Sequence, residues 1–366
     1  IEDKTGTALG MKWSYDTDCI LFQYETPSDI MTKRSLLSAI ARVYDPTNRV
    51  SYIMIPAKLT LQNAFRRGLA WDDPLPDDML KEVEKWITNL DRLQNVRIPR
   101  TFHRGVLSPI VKRDLHSLCD ASEATYVAMT FVHNTHADGT ITCSLVASRN
   151  RLAPLRTKIT MPRMELNGCR LAAQLATQVK REMDVMIEKM YFWCDSIPAL
   201  SFIRNTSTRF TVFVGHRVDE IQSLTSIDSW FYVPSALNVA DGLSRGVFPA
   251  DFENHPHYRG PDFLYENEES WPKEPSPKSL SVDPSEIRKQ EITMSTIVAK
   301  PSFASEFFIK FPTMFRLVAA IAVLLRYQRY LRYHIHERGP LKLDERKSAE
   351  KEVYRIAQQE SYGKEI

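Results

Sequence analysis

The chain has 366 residues, is 43% hydrophobic and 25% charged, and carries a formal net charge of +3. At roughly 150 residues per domain that length implies two or three units. The composition excludes wholesale disorder, a collagen-like repeat and a membrane-embedded protein. Charge is unevenly placed. Arg149, Arg151, Arg156, Lys158 and Arg163 occur with no acid between residues 149 and 164, whereas nine acids face three bases between Asp251 and Glu286. Five scattered cysteines with no C-x-x-C pair argue against a disulfide framework. Residues 1–4 begin no basic-then-apolar leader. The longest apolar run, Leu317 to Leu325, is nine residues, where a bilayer span needs about 20. The expectation is an intracellular chain, cytoplasmic or nuclear, neither secreted nor membrane-bound.

From Thr7 to Gln23, alternating apolar and polar residues around a polar turn predict a hairpin. Helical spacing follows at Ser35 to Ala41 and Tyr52 to Arg67, broken by the turn residues Asp45-Pro46-Thr47-Asn48. Asp77 is placed to cap a third helix through Met79, Val83, Trp86 and Leu90, so residues 31–100 read as mostly helical. After Pro99-Arg100, strand-like runs at Leu115 to Cys119, Thr125 to Val132 and Thr140 to Ala147 surround an Asp138-Gly139 turn. Then come a long helix from Pro162 to Met183, a short strand at Met190 to Cys194, helices at Ile197 to Arg204 and Val212 to Leu224, a strand at Trp230 to Val233, and a short helix from Val239. The order β-β-β-α-β-α-α-β-α describes one α/β domain with a mixed sheet. The acidic, Pro-rich stretch beyond it reads as an extended connector, followed by helices at Phe307 to Tyr333 and Lys342 to Gln359.

Four acids fall at the ends of these elements: Asp120 closing the first strand, Glu165 early in the long helix, Asp195 closing the fourth strand, and Asp241 early in the last helix. Singly, each is explained by a turn or a helix N-terminus. Together they supply what hard cations such as Mg²⁺ take, namely several carboxylate oxygens around two ions. Cys119 and Cys194 precede two of the acids and, by strand alternation, face the opposite side as core residues. Gly242-Leu243-Ser244-Arg245-Gly246 fits G-x-S-x-G, but Ser244 falls inside a helix rather than at a strand-to-helix elbow. His255-x-His257 and His334-x-His336 lack the cysteines of a structural zinc module.

The stretches LCDASEATYVAMTF from Leu118, SRNRLAPLRTKITMPRMEL from Ser148, FWCDS from Phe192 and WFYVPSALNVADGLSRG from Trp230 resemble the ribonuclease H domain of BEL/Pao-type retroelement polyproteins. Upstream, LSAIARVYDPTNRVSYIMIPAKLTLQ and GLAWDDPLP are similar to the thumb and connection that follow a reverse transcriptase palm, and LGMKW to the palm's last hairpin. Downstream, GPDFLYENEESWP and LKLDERKSAEKEVYRIAQQE resemble the connector and lead-in helix of an integrase zinc module.

The resemblance implies a ribonuclease H-like five-stranded mixed sheet over residues 101–248. It is preceded by a palm hairpin (1–30) and a helical thumb/connection (31–100), and followed by a linker (249–300) and C-terminal helices (301–366). It also implies an endonuclease that cuts the RNA strand of RNA/DNA hybrids with two Mg²⁺ or Mn²⁺ ions. Asp120, Glu165, Asp195 and Asp241 would be the catalytic, metal-holding acids, and Arg149, Arg151, Arg156 and Arg163 the contacts to the hybrid backbone. The expected partners are the hybrid and the flanking polymerase and integrase parts of one polyprotein. A second reading is a catalytically silent module of a decayed or domesticated element. No polymerase site is expected, since the Asp-Asp pairs, Asp72-Asp73 and Asp77-Asp78, lie in turn-like sequence beside Trp71.

Overall fold

The structure, a computed structural model, describes residues 5–8, 11–22, 29–206, 209–244, 255–273, 284–287, 303–335, 337 and 339–362. The chain divides into two compact units, one of residues 1–206 and 216–284, the other of residues 207–215 and 285–366.

In the first unit, β2 (Met11–Ser14) and β3 (Cys19–Leu21) form the expected hairpin. It is extended on one side by β1 (Thr5–Ala8) and on the other by β4 (Arg97–Pro99), all antiparallel. Asp18 closes the hairpin in a left-handed conformation that Asp tolerates, and its carboxylate accepts bonds from Trp13 Nε1 and Arg100 Nε at 2.9 and 2.7 Å. Three helices connect β3 to β4. α1 (Lys33–Arg42) opens on a reciprocal capping box between Thr32 and Ser35. α2 (Ser51–Arg66) starts where the Asp45 carboxylate accepts the Arg49 and Val50 amides at 3.0 and 2.8 Å. α3 (Asp77–Asp91) buries Met79, Val83, Trp86 and Leu90. Its N-cap is Pro76, not Asp77; Asp77 and Asp78 stand in the first turn, where the helix dipole favours acids. Asp72 and Asp78 are paired with Arg34 and Arg67.

The central sheet has the order β7-β6-β5-β8-β9. Strands β5 (Ile110–Ala121), β6 (Thr125–His136) and β7 (Ile141–Leu152) are antiparallel, whereas β8 (Lys189–Cys194) and β9 (Trp230–Tyr232) run parallel to β5. Gly139, at φ 84°, closes the β6–β7 turn in a conformation that excludes most side chains. With α4 (Met161–Glu182), α5 (Ile197–Arg204), α6 (Val212–Leu224) and α7 (Ala240–Ser244), the order and topology are those expected of a ribonuclease H-like α/β fold.

Alternation along β5 sends odd residues toward α4 and even residues to the opposite face. That opposite face is covered by α2 and by residues 255–273. Ser51 Oγ lies 2.9 Å from Ser148 Oγ, Arg49 Nε donates to the Val146 carbonyl at 3.1 Å, and Gln62 Nε2 to that of Ala153 at 2.7 Å.

Residues 255–273 depart from the extended connector expected there. α8 (Pro256–Arg259) and two single 3₁₀ turns bury Tyr258, Phe263, Leu264 and Trp271 in the same core as α2 and α3. The Tyr258 hydroxyl meets that of Tyr52 at 2.7 Å. Apolar rings spaced along an acidic, Pro-rich sequence drive this packing although the average composition opposes it.

The second unit contains α9 (Phe303–Ile309), α10 (Met314–Tyr333) and α11 (Leu343–Tyr362). Leu317, Ile321 and Ala322 of α10 pack on Ala349 and Val353 of α11. Arg326 pairs with Glu345 and holds its carboxyl down to about 2. The single helix expected over Phe307 to Tyr333 is broken at Pro312, which has no amide to donate and disfavours helix at the residue before it. Thr313 then caps α10. Among the described residues no helix is long and apolar enough to cross a membrane.

Candidate metal and nucleic-acid site

Strands β5 and β8 are parallel neighbours with Cys119 and Cys194 in register. Asp120 and Asp195, the next residues, therefore emerge side by side at the carboxyl edge of the sheet, where α/β sheets commonly bind ligands. Glu165 stands one turn into α4 and Asp241 is the second residue of α7. Asp120 is repelled by Asp195 and Asp241, and Glu165 by Asp195 and Asp120, so the four acids share one electrostatic neighbourhood.

Burial, reinforced by that repulsion, pushes Asp120 up to about 7. Burial likewise pushes Glu165 up to about 7, with neighbouring negative charge adding to it. Asp195 is raised chiefly by burial. Asp120 Oδ2 is buried without a hydrogen-bond partner, an arrangement that costs stability unless something positive meets it. Carboxylate oxygens, mutually repelling and one of them orphaned, fit a hard divalent cation.

Side chains outside the expected set hold these acids in place. Ser196 Oγ donates to Glu165 Oε2 while accepting the Ala199 amide at 3.1 Å as the cap of α5. Ser235 and Asn238 lie beside Asp195 and work against the rise that burial causes. Asn238, 4% exposed, also sends its Nδ2 to the Cys119 carbonyl at 3.0 Å and accepts the Ala240 amide at 3.2 Å. One amide thus ties the end of the strand that carries Asp120 to the start of the helix that carries Asp241. Each of these residues adjoins an acid motif in sequence, but residue spacing does not reveal which way a side chain bonds.

The bases fall in three places. Arg149 and Arg151 stand on β7, and Arg149 donates to Gln178 of α4. Arg156 and Lys158 are exposed and line a groove of about 1120 Å³ together with Gln62 and Arg66 of α2 and Glu123 of the β5–β6 loop. Arg163 lies half-buried on α4. Ser244 is 2% exposed and its Oγ donates to the Asp241 carbonyl, far from an elbow nucleophile.

Among the described residues, two other triads bring ligand atoms within 4.8 Å of one another: Cys119, Cys169 and Cys194, and Asp114, His116 and His133. The second is held largely by internal bonds, although His116 Nε2 and His133 Nδ1 are buried without a partner. Asp114 accepts from Lys112 Nζ at 2.7 Å and the Lys189 amide at 3.1 Å. His116 Nδ1 accepts from Trp193 Nε1 at 3.1 Å. Indole only donates, so the neutral His116 ring carries its proton on Nε2 and has no lone pair there for a metal.

The family described as the Pao retrotransposon-like RNaseH-like domain matches residues 32–196. No curated protein matches the chain by sequence. Among solved structures, the foamy viral protease-reverse transcriptase in complex with double-stranded DNA is 12% identical with a TM-score of 0.40, covering 63% of this chain and 45% of that one. A second foamy viral protease-reverse transcriptase complex, of the dRH form, is 14% identical with a TM-score of 0.37, covering 63% of this chain and 38% of that one. The N-terminal RNase H domain of a Mycobacterium tuberculosis protein, fused to maltose-binding protein, is 14% identical with a TM-score of 0.24, covering 37% of this chain and 98% of that one. This chain therefore spans less than half the length of either foamy viral protein. The sheet topology is that of an RNase H-like fold, and within it residues 32–196 are similar to the Pao retrotransposon-like RNaseH-like domain.

Proposed function

We propose that this chain is part of a BEL/Pao-type Pol polyprotein and cleaves the RNA strand of RNA/DNA hybrids with Mg²⁺ or Mn²⁺. The observation that carries the reading is the convergence of Asp120, Glu165, Asp195 and Asp241 at one sheet edge, with a buried Asp120 oxygen left unpartnered. These four carboxylates would hold the metal, which when bound supplies an activated water and stabilises the leaving oxygen. The acids act as ligands, not nucleophiles. Ser196 keeps Glu165 oriented, and Asn238 ties the Asp120 end of β5 to the start of α7, which carries Asp241.

Arg149, Arg151, Arg156 and Arg163 are assigned to hybrid phosphates, with Arg156 in the groove beside α2. Phosphate contacts position the duplex, and 2′-hydroxyls across the minor groove distinguish its RNA strand. Residues 1–100 would pack against or guide a template-primer whose polymerase site lies in the palm part of the same polyprotein, and the C-terminal helices would lead toward an integrase part of it.

The test is cleavage of a labelled RNA/DNA hybrid by the full chain with Mg²⁺, with Mn²⁺ and with excess chelator. Cleavage that requires metal is expected. Cleavage that survives chelation rejects the metal site, and binding without cleavage under every metal identifies a silent module instead. Changing Arg149, Arg151 and Arg156 together to Ala should flatten the salt dependence of hybrid binding by roughly one slope unit per lost phosphate contact. An unaltered slope would return those residues to ordinary surface charge.

A further inference from the structure

Every element that contributes an acid through β5, α4 or β8 also contributes a sulfur to the other side. Cys119 precedes Asp120, Cys194 precedes Asp195, and Cys169 follows Glu165 by one helical turn. The three side chains are 1%, 0% and 2% exposed, and Cys169 Sγ lies 3.6 Å from Cys119 Sγ and 3.5 Å from Cys194 Sγ. Cys169 reaches the strands because α4 approaches them at a glycine. A Cβ at Gly168 would stand 3.1 Å from the Asp120 carbonyl oxygen and 3.7 Å from Cys119 Cβ. The Ser196 amide donates to Cys194 Sγ at 3.3 Å, the kind of bond that steadies a ligating sulfur.

The spacing distinguishes two chemistries. A disulfide requires sulfurs about 2.05 Å apart, so any pair here would have to close by roughly 1.5 Å in a packed interior that resists such displacement. Sulfurs sharing one tetrahedral ion at metal–sulfur distances of about 2.3 Å stand roughly 3.8 Å apart, a few tenths of an ångström from the observed contacts. Thiolates also select soft ions, whereas the carboxylates of the sheet edge select hard ones.

We propose that Cys119, Cys169 and Cys194 form a buried site for one soft, thiolate-preferring divalent ion of the Zn²⁺ or Cd²⁺ class, separate from the carboxylate edge. Binding displaces the thiol protons to solvent, with no oxidant or reductant involved. Because the sulfurs are sealed from solvent, loading accompanies folding and is slow in the folded protein.

The experiment refolds the full chain with Cd²⁺ as probe, then reads the metal content by native mass spectrometry and the thiolate-to-metal charge-transfer absorption in the ultraviolet. One Cd²⁺ per chain with strong absorption is expected, undisturbed by excess Mg²⁺, retained in Asp195→Asn and Cys143→Ser, and lost in Cys169→Ser. Should Cys169→Ser fail to fold, Cys169→Ala and Cys119→Ala replace it, and loss of absorption is expected in either. Wild-type protein without that absorption, or absorption that survives in any folded variant of the triad, overturns the site. The readout requires no nuclease activity, so it stands or falls separately from hybrid cleavage.

Discussion

Strand β5 carries two carboxylates six residues apart, Asp114 and Asp120, on the same face of the sheet. Asp114 is 1% exposed and meets the Lys112 ammonium at 2.7 Å and the Lys189 amide at 3.1 Å. Asp120 also sits in a poorly solvated place, but its neighbours are acids and one of its oxygens has no partner. The first carboxylate has its partners within the protein, although the adjoining His116 and His133 each keep one buried ring nitrogen unpartnered. The second has a buried oxygen with no partner in the protein, and that difference, more than the presence of acids, is what the proposed cation site at the sheet edge would use.

Exchanging each acid for its amide breaks the comparison most directly. Asp120→Asn, or Asp195→Asn, should lower hybrid cleavage by at least about a hundredfold, since even residues that only support metal ligands typically cost 10–100-fold. Hybrid binding and thermal stability should be retained, because the change removes a repelling charge without altering shape. Activity within tenfold of wild type, measured on protein of equal hybrid affinity, would reject the assignment of the acids.

Asp114→Asn should do the reverse. Lys112 is partly exposed and keeps Glu268 at 3.3 Å, so what is lost is the charged hydrogen bonding of a buried carboxylate, about 2 kcal/mol, and the denaturant midpoint should fall while the folded fraction keeps its cleavage rate. Loss of cleavage at unchanged stability would move Asp114 into the functional set.

The four acids stood out in the sequence because each ends a strand or opens a helix whose periodicity is plain, but periodicity does not say which strands are neighbours, and it is the parallel pairing of β5 with β8 that puts Asp120 beside Asp195. The Asp114 cluster was not legible. His116 and His133 lie 17 residues apart on different strands and meet only through the β5–β6 register, in which His116 faces Phe131. Nor was the packed segment over residues 255–273, where local composition reads as linker and the burial of Trp271 against His116, Tyr191 and Trp193 depends on rings from distant strands. β4 is three residues long, too short for alternation to register. Gly168 carries no signal at all in an amphipathic helix, although it sets how closely α4 meets β5.

That glycine offers a finer test. A methyl at 168 meets backbone, the Asp120 carbonyl, so the helix bearing Glu165 must shift by a few tenths of an ångström relative to Asp120. Gly168→Ala should reduce cleavage about tenfold, a fraction of the effect expected from a full 1 Å misplacement, and should raise the Mg²⁺ concentration needed for half-maximal rate. A reduced rate with an unchanged Mg²⁺ requirement would show that the close approach serves packing rather than the spacing of the acids.

The smallest effect distinguishes the clusters by pH. Asp120 and Glu165 have folded-state values raised to about 7, above the roughly 4 of an unfolded chain. In chelator, the stability they contribute is fully present below about pH 4 and is lost as the pH rises toward about 7. His116 and His133 are shifted the other way by burial. Their contribution is present above the unfolded value of about 6.5 and is lost as the pH falls through that range. Metal binding favours deprotonated carboxylates, so Mg²⁺ should recover a few degrees of melting temperature at pH 8, less at pH 5, and leave the acid-side decline due to the histidines untouched. Asp120→Asn should remove most of the Mg²⁺-dependent recovery. A metal-free melting temperature whose change between pH 5 and 8 is the same in wild type and Asp120→Asn, or Mg²⁺ stabilisation equal at both, would mean that the sheet-edge acids are not raised as their burial and mutual repulsion require.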